Sequence, residues 1–129
     1  VAVGFGTDHG NVAAARGWNE PVQIMEIVPA LAGSYERLFH RSELPAFYLH
    51  LRDPGRKALR EELSLERLER AIGVVYRPDS ERLSHYFDAC LARQFDEYVW
   101  FDETHAVTPL AAGERLAWRD LPETFPFGT

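Results

Sequence analysis

Val1-Ala2-Val3-Gly4-Phe5-Gly6-Thr7-Asp8-His9-Gly10 is the stretch on which the reading of the fold turns. Val1 to Phe5 is a short apolar run closed by glycines, the pattern of a strand buried on both faces. Gly4, Gly6 and Gly10 predict a sharp turn directly after it. Asn11 to Arg16 is Ala-rich and predicts a turn or two of helix before Gly17. A strand does not bury itself alone, so the expectation is a partner upstream of Val1. The chain then reads as the C-terminal part of a larger protein.

Downstream, Val22 to Val28 is β-branched and closed by Pro29, a second strand, with Met25 as core filler. Gly33-Ser34 offers a helix N-cap, with Glu36 in the first turn where the helix dipole favours a carboxylate. Tyr35, Leu38 and Phe39 supply that helix with an apolar face. Phe47, Leu49 and Leu51 alternate with Tyr48, His50 and Arg52, a half-buried strand. Asp53-Pro54-Gly55 is a turn. Leu59 to Ile72 has mostly helical spacing with Glu and Arg neighbours. Val74-Val75-Tyr76 reads as a strand, Phe87 to Phe95 as containing a short helix, and Tyr98 to Phe101 as a last strand. Residues 1–110 are thus read as an α/β portion, with α+β the neighbouring class. Its expected architecture is a mixed sheet with helices packed on it, part of a larger domain. Residues 111–129 read as an irregular tail.

The 129 residues carry 46% hydrophobic and 12% aromatic side chains, enough for a core. A net charge of −6 with interleaved basic residues is no electrostatic footprint for nucleic acid or a membrane surface. No apolar run approaches the roughly 18 residues that span a bilayer. Cys90 is the only cysteine, so no internal disulfide forms; a reducing compartment fits, and a cytoplasmic location is expected.

Gly4, Gly6 and Gly10 after a strand resemble a dinucleotide-binding turn, with Glu26 in the next strand. The third glycine falls one place late, where the fingerprint needs it at His9, and a full helix is missing. No cofactor is expected. His9, at the C-terminal end of a buried strand, is the candidate pocket residue, together with Thr7, Gly10 and His85. Adjacent side chains on an extended backbone point apart, so Asp8 is not expected to orient His9. Ser84, His85 and Asp102 assemble a triad only on paper, because nucleophile and base would be neighbours and no G-x-S-x-G elbow is present. His9, His40, His50, His85 and His105 never take H-x₃-H or H-E-x-x-H spacing, so no metal is expected. Cys90 reads as a packed small hydrophobe, and Asp102 and Glu103 as caps of the turn after the last strand.

Several phrases in order carry a resemblance. They are Val3-Gly4-Phe5-Gly6-Thr7 with Gly10 and Val12-Ala13-Ala14; Trp18; Val28-Pro29-Ala30-Leu31 with Gly33-Ser34-Tyr35-Glu36; Arg67 to Pro78; Ser84-His85-Tyr86-Phe87; Gln94-Phe95-Asp96; Phe101-Asp102-Glu103-Thr104; and Glu123 to Gly128. Strung together they resemble the C-terminal third of erythromycin esterase-like proteins. The resemblance implies a hydrolase that opens a lactone or ester with water, using a histidine general base with acidic and arginine helpers. It implies that those residues lie upstream of Val1, one of them in an Ala-His-Asn-x-His stretch that this sequence lacks. No catalytic role therefore transfers to any residue here. The implied partners are a small-molecule ester or lactone and the N-terminal remainder of the same protein. The alternative is a non-catalytic α/β binding or interaction module.

Overall fold

The computed structural model describes residues 1–108, so the tail expected over 111–129 lies outside the described residues. Its spine is a single 12-residue strand, β1 (Val3–Ala14), which runs through the predicted turn and the predicted helix without breaking. The glycines make room instead of terminating the strand. A Cβ at Gly4 would lie 2.7 Å from both the Phe95 and Tyr98 rings, and one at Gly6 would lie 1.9 Å from the Tyr98 hydroxyl. Glycine inside a strand marks such close approach. Val12, Ala13 and Ala14 stay extended because they pair with β2 (Gln23–Ile27), and pairing outweighs the helix preference of alanine.

Gly10 is where β1 changes partners. From Val3 to Gly10 it pairs in parallel with β6 (Glu97–Thr104); from Gly10 to Ala14 it pairs antiparallel with β2. Gly10 has φ +120°, and a Cβ there would fall 2.0 Å from the Thr104 carbonyl oxygen. No other residue fits. β3 (Ala46–His50) closes the sheet antiparallel to β6, giving the order β2-β1-β6-β3. The class is α/β with a mixed sheet.

Ser34 caps α1 (Tyr35–His40), its hydroxyl accepting from the Arg37 N–H at 3.1 Å, as its place before the apolar run predicts. The periodicity of Leu59 to Ile72 is realised differently. α2 (Lys57–Glu62) ends at Leu63, and β4 (Arg67–Arg70) follows as a strand. β4 pairs antiparallel with β5 (Tyr86–Ala89), so these residues gain a ladder that a longer helix would forgo. Val74 to Tyr76 forms only a bridge, Val75 against Ala15. α3 (Glu81–Ser84) precedes β5, and α4 (Leu91–Gln94) is the short helix expected before Phe95.

Two apolar clusters hold these elements. Tyr35, Phe39, Leu51, Leu63, Leu91, Tyr98 and Trp100 form the larger, with Phe39 edge-on to Phe47 and Trp100. Ala14, Met25, Ile27 and Tyr76 form the smaller. Among the described residues nothing covers the opposite sheet face, and register aligns apolar side chains on it. Phe5, Val99 and Tyr48 share one row, with Phe101 in the next, and Phe5 is 70% exposed.

The Tyr98 hydroxyl is buried without a partner among the described residues and sits where a side chain at Gly6 would go. Gly6→Ala is expected to destabilise the chain by about 1–3 kcal/mol in denaturant unfolding. Tyr98→Phe alone should cost little, because it removes an unsatisfied hydroxyl. The double variant should recover much of the loss. Equal losses for Gly6→Ala in both backgrounds would contradict this packing.

Candidate functional site

Asp8 is buried in the middle of β1, close to where its parallel pairing with β6 ends at Gly10–Thr104. Its Oδ1 accepts from the Ala30 N–H at 3.3 Å and lies 3.6 Å from the Arg37 guanidinium. Its Oδ2 lies 3.1 Å from His9 Nδ1 and 3.6 Å from His40 Nδ1. His40 Nδ1 in turn stands 2.7 Å from Asp102 Oδ1. Two imidazoles and two carboxylates therefore meet beside β1 and β6.

Local sequence explains how α1 joins them. Ser34 starts the helix, and burial of Tyr35 and Phe39 fixes its rotation. Arg37 and His40, three residues apart, then share the face toward Asp8. Arg37 donates from Nε and Nη2 to the Ala30 carbonyl, at 2.9 and 2.7 Å, steadying the same residue whose N–H holds Asp8. His9 and His40 meet edge to face, with ring centroids 6.0 Å apart.

Beneath the site lies a buried ion pair. Arg70 and Glu81 approach to 3.0 Å with side chains only 2% and 4% exposed. Arg70 Nη2 donates to the carbonyls of Thr7 and Asp8 at 2.7 and 2.8 Å, and Nη1 donates to Val28 at 2.5 Å. Tyr76 donates to Glu81 at 2.7 Å and accepts from the Val28 N–H at 3.1 Å. Burial first, and the Glu81 bond second, push the Tyr76 phenol well above its usual range. Glu36 lies in the first turn of α1 as expected, and is in addition buried, accepting the Arg70 backbone N–H at 3.0 Å. Burial raises its carboxyl. Burial, and then the Glu36 charge, push Glu69 up to about 7.

The residues singled out in the sequence separate. Thr7 lines a cavity of about 350 Å³ with Phe5, Ile27, Glu36, Arg70 and Phe101. His9 and Gly10 line an open groove of about 610 Å³ with Asn11, Glu26, Pro29 and Glu103. His85 lies elsewhere. Its Nε2 accepts from the Arg77 N–H at 2.9 Å and its Nδ1 faces the Ala71 carbonyl at 3.0 Å, so both ring nitrogens hold backbone. The contact between Asp8 and His9 corrects the expectation that neighbours on a strand stay apart. Their Cβ atoms do diverge, one buried and one toward the groove, yet Nδ1 reaches back to Oδ2.

Asp102, read as a turn cap, faces His40 instead. His40 itself carries no local motif; its one sequence signal is its place one turn after Arg37 on a capped helix. The metal-ligand spacings searched along the chain are silent on Asp8, His9 and His40. Yet these bring one carboxylate oxygen and two imidazole nitrogens within 4.8 Å of one another from two separate elements. Among the described residues, no helix is long and apolar enough to cross a membrane.

A mixed sheet with helices packed on it, gathering two histidines and two carboxylates beside the parallel pair β1 and β6, defines an α/β domain. The erythromycin esterase family profile matches residues 1–104, and the chain belongs to that family. Two crystal structures share its fold. One is a Bacillus cereus protein, 17% identical with a TM-score of 0.65, over 81% of this chain and 25% of that one. The other is described as a succinoglycan biosynthesis protein, 22% identical with a TM-score of 0.60, over 80% of this chain and 24% of that one. The chain spans about a quarter of the length of these solved structures.

Glu69 generates a pH prediction. The folded chain keeps its proton to about pH 7, whereas an unperturbed carboxyl loses it near 4.5. Between those values the folded state binds more protons, so stability falls as pH rises through the window and is level above it. Glu69→Gln should flatten that slope in urea unfolding and be more stable than wild type at pH 8 by roughly 2 kcal/mol. An unchanged slope would contradict the assignment.

Proposed function

We propose that this chain contributes one wall of the active cleft of an enzyme that hydrolyses carboxylic esters or lactones with an activated water. The observation that carries the reading is the pairing of His40 with Asp102 at 2.7 Å and of His9 with Asp8 at 3.1 Å. A carboxylate on Nδ1 selects the tautomer with the proton on Nδ1 and leaves Nε2 free as a base. The free nitrogen accepts a proton as water attacks the ester carbonyl. It then returns that proton to the departing alkoxide, leaving an acid and an alcohol. Family membership supports the reaction class.

The further groups such a reaction needs, above all a donor set for the developing oxyanion, are assigned to the rest of a longer polypeptide. The exposed sheet face supports this assignment, since Phe5, Tyr48 and Phe101 lie in neighbouring rows of it as an apolar surface of the kind that packs against further chain. The small-molecule partner is an ester or lactone, and the protein partner is that remaining polypeptide.

The test uses a polypeptide that carries this segment and spans the length of the solved relatives, assayed on p-nitrophenyl acetate and on a macrolide lactone. His40→Ala and His9→Ala should each lower kcat by about 100-fold, at the low end of general acid–base contributions, with thermal midpoints little changed. The 129-residue chain alone should show no turnover. Wild-type rates in both variants would overturn the reading. A full-length protein that binds esters without turning them over would favour a binding module.

A further inference from the structure

We propose that Asp8, His9 and His40 bind a divalent transition-metal ion. The first support is metrical. Ligands 2.0–2.2 Å from one ion stand about 3.0 Å apart in an octahedral arrangement and about 3.4 Å apart in a tetrahedral one. Asp8 Oδ2 lies 3.1 Å from His9 Nδ1 and 3.6 Å from His40 Nδ1. The longer of these contacts is too long for a hydrogen bond. As edges of one coordination polyhedron, both distances are ordinary. Asp102 Oδ1, 2.7 Å from His40 Nδ1, lies outside this set of three and is that nitrogen's hydrogen-bond partner in the metal-free protein.

The second support is the shape of the cluster. The Asp8 side chain is 3% exposed, while His9 and His40 are each 36% exposed. The buried carboxylate forms a floor beneath two partly exposed imidazoles, of which His9 also lines the groove with Gly10 and Glu103. That is the arrangement of a site that keeps one coordination position for water or substrate. The third support is the shell behind it. Asp8 Oδ1 is taken by the Ala30 N–H and faced by Arg37, which leaves Oδ2 alone aimed at the imidazoles. Outer partners of this kind fix the orientation of a ligating carboxylate. Two imidazoles with a carboxylate suit zinc, cobalt, iron or manganese, and not calcium or magnesium, which take oxygen.

The inference deepens the hydrolytic reading and rests on it only for what the ion does, namely polarise a water or an ester carbonyl. Binding stands independently. A bound ion replaces the protons that the two Nδ1 atoms otherwise share with the carboxylates, so metal-loaded and metal-free protein activate water differently.

The experiment uses the same full-length polypeptide, stripped with a chelator and titrated with Co(II), followed by its visible absorption, and with Zn(II), followed by calorimetry. Wild type should take up one equivalent through this site. His9→Ala, His40→Ala and Asp8→Asn should each weaken uptake by roughly 100-fold or more, at or beyond what loss of an outer partner costs. His105→Ala, at an exposed position, should bind as wild type. No Co(II) absorption sensitive to His9 and His40 would overturn the site. Ester turnover on the same samples separates the two claims. Equal rates in stripped and loaded protein would remove the ion from the reaction and leave the hydrolase reading standing. Co(II) bound through His9 and His40 with no turnover in any sample would keep the site and sink the hydrolase reading.

Discussion

The guanidinium of Arg70 is the constraint on which the other parts depend. It reaches from β4 to the Thr7 and Asp8 carbonyls on β1, to Val28 after β2, and to Glu81 at the start of α3. Four segments distant in sequence are thus referred to one buried cation. Such a pair is weak evidence of net stability, because desolvating both charges offsets much of their attraction. Its consequence is geometric. Remove either partner and the other is left charged and buried, a loss on the order of 3–5 kcal/mol. β4 and α3 therefore cannot drift relative to β1 without losing the pair.

That rigidity lets Asp8 do something unusual for a buried carboxylate. One oxygen is held by Ala30 and faced by Arg37, and the other is presented to two imidazoles. α1 brings His40 and Arg37 to this carboxylate because Ser34 sets where the helix starts and Tyr35 and Phe39 set which way it turns. The polar cluster therefore inherits its precision from an aromatic core on the same face of the sheet. The other face, with Phe5 and Tyr48 in line through Val99, has no such cover within the described residues.

Much of this was legible in the residues, and the failures have physical causes. The Ser34 cap, the alternation around Phe47 to Leu51 and the β-branched run before Pro29 each yielded the element that forms, since local pattern and tertiary packing agree there. Gly4 and Gly6 read as punctuation because a sequence does not show which rings a strand will lie against; here Phe95 and Tyr98 need the space. Glu69 and Arg70 fall in a stretch whose spacing predicts a helix with Glu and Arg neighbours, but they lie on a strand and are buried together with Glu36 and Glu81. The candidate site was half visible. His9 stands out through an expected strand end that the structure replaces with a continuous β1, the pleat rule argues against Asp8, and His40 and Asp102 lie beyond any local spacing. Only the parallel pairing of β1 with β6 and the packing of α1 join them.

The central claim is that carboxylates hold the Nδ1 side of both imidazoles and leave Nε2 open. Long-range ¹H–¹⁵N NMR of the metal-free protein, at a pH where the imidazoles are neutral, reads this tautomer directly. The account predicts protonated Nδ1 and unprotonated Nε2 for His9 and His40. A proton on Nε2 of both rings would contradict it.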